Sequence, residues 1–413
     1  MKILLNSVLH KIDFLLKRHL KTPIFRAFCY AGRLLNPVTN KRIQKERISK
    51  VLVLQGGGLG DLIRIFPILR ALKDEFPNAS ISIVSPFDHE LFKLFPHLNI
   101  ISEIVIIDLA RKHKSLLSKL LFIRFLRKKS FDLIVSPQIG LGMVEFATLS
   151  FLTGAPYRIG YDGKGSGFLH TTKVELVENK SIYEQHGELL RSSGIRFPSI
   201  GYYSKEPYVR IPEEDLYFAR SFLRNHGIVV GDFIFTISPT VIADRDSKSP
   251  QHNRSLAESR TWPEQNYVDL VNQIIHSYRA KVILLGDAIP VGNLSEFLKN
   301  AKNPDLISAM GQTTIGQAAA LINLSDIFIT NDSGLLHVAI ALKKRCVGIF
   351  GSTSPEQVVG SVDSCIPVWK GLQCSPCWVH QPIHDFNCPY DLECLKSITV
   401  EDVMKAVKYL LPT

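Results

Sequence analysis

The chain leaves a polar, basic stretch at Val51-Leu52-Val53-Leu54-Gln55-Gly56-Gly57-Gly58-Leu59-Gly60-Asp61, and its architecture is announced there. The apolar run 51–54 reads as a short buried strand. The glycines after it permit a tight turn and a close approach of ligand to backbone. Residues 62–76 then carry a helical pattern. A strand that ends in a glycine turn and feeds a helix opens a parallel βα unit. The spacing is not that of a dinucleotide site. Taking Gly56 and Gly58 as the first glycines of G-x-G-x-x-G puts Asp61 in the third place, where a carboxylate repels a pyrophosphate. No G-K-[ST] follows, so a P-loop is excluded. The loop is built to present a carboxylate; the structural alternative for Asp61 is an N-cap.

Further apolar runs at 81–84, 104–107 and 133–135 read as buried strands, with a helix at 113–129. A second series follows at 233–237, 282–285, 327–329 and 347–350, separated by helical stretches at 265–278, 315–323 and 335–342. Between the two series, residues 197–212 hold Pro198, Gly201, Pro207 and Pro212 and read as a hinge. The expectation is two α/β domains that face each other across a cleft, with ligands at the carboxyl ends of the strands. In the second series the strand 327–329 runs into Thr330-Asn331-Asp332-Ser333-Gly334-Leu335-Leu336-His337. Backbone N–H groups at such a helix start, with Ser333 and Gly334, suit a phosphate, and His337 is placed to donate to its oxygen. The alternative is a capping turn and a core histidine. Gly351-Ser352-Thr353 forms another strand-end loop.

The 413 residues carry 49 Lys and Arg against 38 Asp and Glu, a net charge of +11. Residues 1–50 hold 12 of the cations and only Asp13 and Glu46, a net +10, and the remainder carries +1. A nearly neutral body without a nucleic-acid motif excludes a nucleic-acid binder. No apolar run reaches the ~18 residues of a membrane-crossing helix. Ile3, Leu4, Leu5, Val8, Leu9, Ile12, Leu15, Leu16 and Leu20 recur at helical spacing. This basic amphipathic helix either lies in an anionic membrane interface or packs on the body or another copy. It lacks the uninterrupted apolar core of a secretory signal.

Of seven cysteines, Cys29, Cys346 and Cys365 stand as isolated, reduced residues. Cys374, Cys377, Cys388 and Cys394 form C-x2-C-x10-C-x5-C, which suits tetrahedral zinc or iron, with free thiols or disulfides as alternatives. His380 and His384 lie inside the loop as substitute ligands. A closed site of four thiolates is structural.

Leu59-Gly60-Asp61 followed by Phe66-Pro67-Ile68-Leu69-Arg70-Ala71-Leu72-Lys73 and Phe76-Pro77-Asn78-Ala79 resembles the opening of glycosyltransferase family 9, the ADP-heptose:lipopolysaccharide heptosyltransferases. Residues 331–339 resemble its D-[ST]-G-x-x-H-x-A signature, and residues 347–353 its apolar strand and G-x-T turn. Arg260-Thr261-Trp262-Pro263 resembles its K-x-W-P element, and Gly311-Gln312-Thr313-Thr314 its G-x-T-[ST] element. Five elements in matching order cover about residues 50–400.

The resemblance implies a GT-B fold, two Rossmann-like α/β domains across a cleft, here with an N-terminal amphipathic helical extension at 1–48. It implies an acceptor domain at 49–205 and a nucleotide-sugar domain at 206–413 that carries the four-Cys segment 374–394. It implies inverting transfer of heptose from ADP-heptose without a catalytic metal. Asp61 becomes the general base, in a loop with Gly57, Gly58 and Gly60. Thr240, Arg260, Asp332, Ser333, Gly334, Leu335 and His337 become the donor-binding set. The acceptor becomes a lipopolysaccharide core or related cell-envelope glycan, reached from the cytoplasmic side of an anionic membrane. A related subgroup, the autotransporter heptosyltransferases, modifies protein with a similar four-Cys iron finger and assembles as homo-oligomers. Protein heptosylation and a catalytically silent nucleotide-sugar binder are therefore the competing expectations. Departures from the family pattern are Gly57-Gly58 where Ser-Ser is common, Arg260 in place of Lys, and a longer polar loop between Pro239 and Arg260. The turn Gly286-Asp287 is a candidate nucleotide contact.

Overall fold

The computed structural model describes residues 43–95, 98–108, 112–113, 115–140, 142–163, 165–177, 180–197, 207–239, 258–286, 303–377 and 388–411. The expected N-terminal amphipathic helix, Cys29, Thr240, nearly all of the polar 240–260 segment, Asp287, His380 and His384 lie outside these residues.

The first series builds a six-stranded parallel sheet from β1 (Lys50–Leu54), β2 (Ser80–Ser85), β3 (Ile101–Ile106), β4 (Leu133–Ser136), β5 (Tyr157–Asp162) and β6 (Thr172–Glu175). Its helices are α1 (Leu59–Glu75), α2 (Leu116–Lys128), α3 (Met143–Thr153) and α4 (Ile182–Arg191). The strand order is β3-β2-β1-β4-β5-β6, the doubly wound order of a Rossmann sheet. Central strands are apolar throughout because both faces are covered. Val51 and Val53 join α1 and α4 on one face, while Leu52 and Leu54 join α2 and α3 on the other. Ile43 and Ile48 are buried in the same core, so packing on the body begins before residue 49.

The second series opens with α5 (Glu213–Asn225) and β7 (Ile234–Ser238), then α6 (Glu264–Tyr278), β8 (Lys281–Leu284) and β9 (Leu306–Ser308). It continues through α7 (Ile315–Leu324), β10 (Ile327–Asn331), α8 (Gly334–Ala341), β11 (Cys346–Ile349), β12 (Cys365–Val368) and α9 (Val400–Leu410). The sheet order is β12-β11-β10-β7-β8-β9, the same pattern as the first sheet, and every pairing in it is parallel. The two α/β units expected from the sequence are present. Two details differ. Helix α1 starts at Leu59 instead of residue 62, which draws Asp61 into its first turn. Cys346 and Cys365 are not isolated: they are register partners on β11 and β12, both buried free thiols. Among the described residues no helix is long and apolar enough to cross a membrane.

Candidate functional site

In each sheet the strand order reverses at one place, between β1 and β4 in the first and between β7 and β10 in the second. Loops leaving the carboxyl ends of those strands form the ligand crevice of such sheets. After β1, the chain is pinned by amide side chains. Gln55 Nε2 donates to the Gly57 carbonyl at 2.9 Å, and Gln55 Oε1 accepts from Ser85 Oγ at 3.0 Å. The Gly56 N–H donates to Gln138 Oε1, from the β4 loop, at 3.2 Å. Asp61 then folds back on the turn: its Oδ2 accepts the Gly58 N–H at 2.9 Å, capping α1. Its Oδ1 pairs with the Arg64 guanidinium. Asp61 is therefore not the N-cap, which is Gly58, but the third residue of α1 reaching back to the cap, and its carboxylate is still 44 % exposed, whereas Arg64 is 10 % exposed. A side chain at Gly57 would collide with that carboxylate.

The β10 loop is held by Asn331. Its Oδ1 accepts the Trp262 N–H at 2.9 Å and its Nδ2 donates to the Pro239 carbonyl at 2.9 Å. Trp262 is wholly buried and donates from Nε1 to the Ile398 carbonyl at 2.9 Å, and half-buried Arg260 stands two residues before it. Asp332 is buried and its N–H donates to Ile349 at 3.1 Å. Ser333 precedes α8, and its Oγ shares a hydrogen bond with Thr330 Oγ1 at 3.1 Å. Gly334 and half-buried Leu335 begin α8. His337 is buried, and its Nδ1 has no hydrogen-bond partner among the described residues. Burial, and after it the Arg64 charge, push its pKa well below the usual imidazole value, so the ring is neutral at pH 7.

The two loops meet. A methyl group on Gly60 would lie 2.5 Å from His337 Cδ2, and one on Gly334 would lie 2.8 Å from Leu59 Cβ. The first turns of α1 and α8, one from each sheet, are thus in contact. The structure brings Gly57, Gly58, Gly60, Asp61 and His337 together at the crevice, with Asp332, Ser333, Gly334 and Leu335 on the adjoining loop. Gln55, Gln138 and Arg64 join them without having been singled out beforehand. Arg64 carried a readable signal, a cation within the apolar run from Leu62 to Phe66. Elsewhere, a hollow of about 310 Å³ lined by Gln44, Arg47, Asp132, Pro156 and Tyr157 lies at the amino ends of β4 and β5, the opposite edge of the sheet. Asp132 there already accepts the Ser49 and Lys50 N–H groups, each at 2.9 Å.

Cys374, Cys377, Cys388 and Cys394 are free thiols in one region. The Cys394 pKa is pushed up to about 11, first by burial and then by the other three thiols. Among the described residues no three His, Cys, Asp or Glu side chains are arranged as a metal site. The segment rests on the β11 loop. The Cys377 N–H donates to the Ser352 carbonyl at 3.0 Å, and Ser375 Oγ donates to the Gly351 carbonyl. The buried hydroxyls of Ser352 and Thr353 have no partner among the described residues.

A family model described as glycosyltransferase family 9 (heptosyltransferase) matches residues 120–385. The chain belongs to glycosyltransferase family 9. Lipopolysaccharide heptosyltransferase 2 of Escherichia coli K12 is 25 % identical to this family 9 glycosyltransferase over 316 residues, which are 74 % of this chain and 84 % of that one. The crystal structure of the family 9 glycosyltransferase from Veillonella parvula superposes with a TM-score of 0.66 at 19 % identity, covering 90 % of this chain and 99 % of that one. The structure of the E. coli ADP-heptose lipopolysaccharide heptosyltransferase II gives 0.61 at 19 % identity over 87 % and 98 %. The GT-B fold expected from the sequence is the fold of this enzyme. The family match begins at residue 120, so the Asp61 loop stands on its own geometry.

Proposed function

We propose that this glycosyltransferase moves heptose from ADP-heptose, with inversion, onto a lipopolysaccharide core or related cell-envelope glycan. The observation that carries the proposal is the junction of α1 and α8, where the turn bearing the exposed Asp61 carboxylate packs against His337, a buried histidine whose Nδ1 has no hydrogen-bond partner among the described residues. The E. coli relatives above are lipopolysaccharide heptosyltransferases and support this donor and acceptor. The acceptor sits with the domain at 49–205 and the nucleotide sugar with the domain at 206–413. The Asp61 carboxylate takes the acceptor hydroxyl proton as that oxygen attacks the anomeric carbon. The bond from that carbon to the ADP oxygen breaks on the opposite face, which inverts the centre. The His337 N–H, the start of α8 and the Arg260 guanidinium meet the negative charge on the departing diphosphate. Arg64 holds Asp61 in place through their ion pair. No step calls for a metal. The enzyme works on the inner face of the cytoplasmic membrane as a peripheral protein.

Asp61→Asn tests this reading, since Asn still accepts the Gly58 N–H and keeps the helix capped. Transfer from ADP-heptose is expected to fall at least ~100-fold with ADP binding retained. Unchanged turnover would remove Asp61 from the base role, and turnover with only a UDP- or GDP-sugar would overturn the donor.

We further propose that Cys374, Cys377, Cys388 and Cys394 hold a structural zinc or iron. Its support is the four-thiol spacing and the docking of the segment on Gly351 and Ser352. Such a metal would brace the β11 loop. Elemental analysis of the full chain is expected to give about one metal per chain, lost in Cys374→Ser. A metal-free wild type would end the proposal.

A further inference from the structure

Helix α2 rests on its sheet through Phe122 and Leu126. Among the described residues nothing covers its opposite side: Leu116, Leu117, Leu120 and Leu121 are 74 %, 67 %, 53 % and 58 % exposed. Leu117, Leu120, Leu121 and Arg124 follow the i, i+3, i+4, i+7 spacing of one helical stripe. Single exposed leucines are ordinary, but four on one face of one helix form a patch that fits an apolar partner. The same side continues toward the C-terminus with exposed Arg124, Arg127 and Lys128. Across residues 111–129 there are eight Lys and Arg and no Asp or Glu.

We infer that this face of α2 is the surface by which the enzyme lies on an anionic lipid bilayer. The leucines enter the acyl boundary and the cations sit among the headgroups. The inference rests on the reading that the acceptor is membrane-anchored. The charge pattern favours lipid over a second copy of the chain, because two such faces would stack cation on cation with no acid to pair them. The N-terminal extension is a poor cover for the same reason, since residues 1–50 carry a net +10. Topology gives the surface its use. Helix α2 lies between β3 and β4, so it runs antiparallel to the strands. Its leucine-bearing start therefore sits at their carboxyl edge, the edge of the Asp61 loop. Helix α3 packs beside α2, and Phe146 in the first turn of α3 lies against Gly56. A bilayer under the leucines would thus reach the acceptor side of the crevice.

The test uses the full chain and vesicles of phosphatidylcholine and phosphatidylglycerol in equal parts. In Leu121→Trp, emission from the introduced indole is expected to shift blue and be quenched by brominated lipid. Pure phosphatidylcholine vesicles should leave it unchanged. The triple variant Leu117→Asn, Leu120→Asn, Leu121→Asn is expected to partition at least ~10-fold less onto the anionic vesicles. Its transfer to a deacylated, water-soluble acceptor should match wild type, which also establishes that it folds. Vesicle binding with an unquenched indole at position 121 would overturn this surface and leave membrane association standing. No binding to anionic vesicles would overturn both. A dimer that the triple variant abolishes would assign the face to self-association and overturn the lipid reading.

Discussion

Arg64 is a buried cation that faces three groups at once. It pairs with Asp61, and its charge adds to burial in opposing protonation of His337 and His186. His186 is buried behind it, with Nδ1 at 2.9 Å from the Tyr161 hydroxyl. Burial, then Arg64, hold the His186 pKa down to about 3 from the ordinary 6.5. Burial, then Arg158, hold His170 at about 4. Both rings are neutral in the folded protein and take up a proton when it unfolds below pH ~6.5. Stability is therefore whole above that pH. It is lost as pH falls toward the folded values, at ~1.4 kcal/mol per pH unit for each ring. Melting temperatures followed from pH 7.5 to 5 should decline less steeply in His186→Gln than in wild type, since Gln keeps a partner for Tyr161. Equal slopes would show that His186 is not among the groups that destabilise the fold in acid.

At the level of elements, the sequence was most readable where a strand is covered on both faces. The strands β1, β4, β7 and β10 are short, mostly apolar runs, and the expected bounds of each lie within two residues of those observed. Strands toward the edges carry weaker signals. β5 contains Arg158 and Asp162, β9 has three residues, and β12 contains Pro367, so none reads as a buried strand. The glycine turn of β1 and the β10 loop were legible as candidate site loops because glycine, carboxylate and histidine stand at strand ends. Their mutual contact was not. Gly60 against His337 and Gly334 against Leu59 are contacts between helices from different sheets, and no local spacing encodes them. The pinning roles of Gln55 and Gln138 were hidden for the same reason: each depends on a partner at the end of another strand, Ser85 of β2 and Gly56 after β1.

Over the whole molecule, the contact between α1 and α8 belongs to a larger continuity. One cluster of buried side chains runs from Val51 in β1, through Phe66 on α1 and Leu336 on α8, to Phe328 in β10. Interfaces between domains of one chain are commonly polar and permissive of motion. Here an apolar core passes through the junction, and separating the sheets would expose it to water. The chain should therefore melt in a single calorimetric transition instead of sheet by sheet. ADP at a hundredfold excess over its Kd should add about 2.7 kcal/mol, which for a chain of 413 residues raises Tm by about 3 °C. That increment should move the entire transition, because a ligand on the second sheet stabilises the first through the shared core. Two peaks of which ADP moves only one would mean that the cluster does not couple the sheets, and that α1 and α8 touch without joining them.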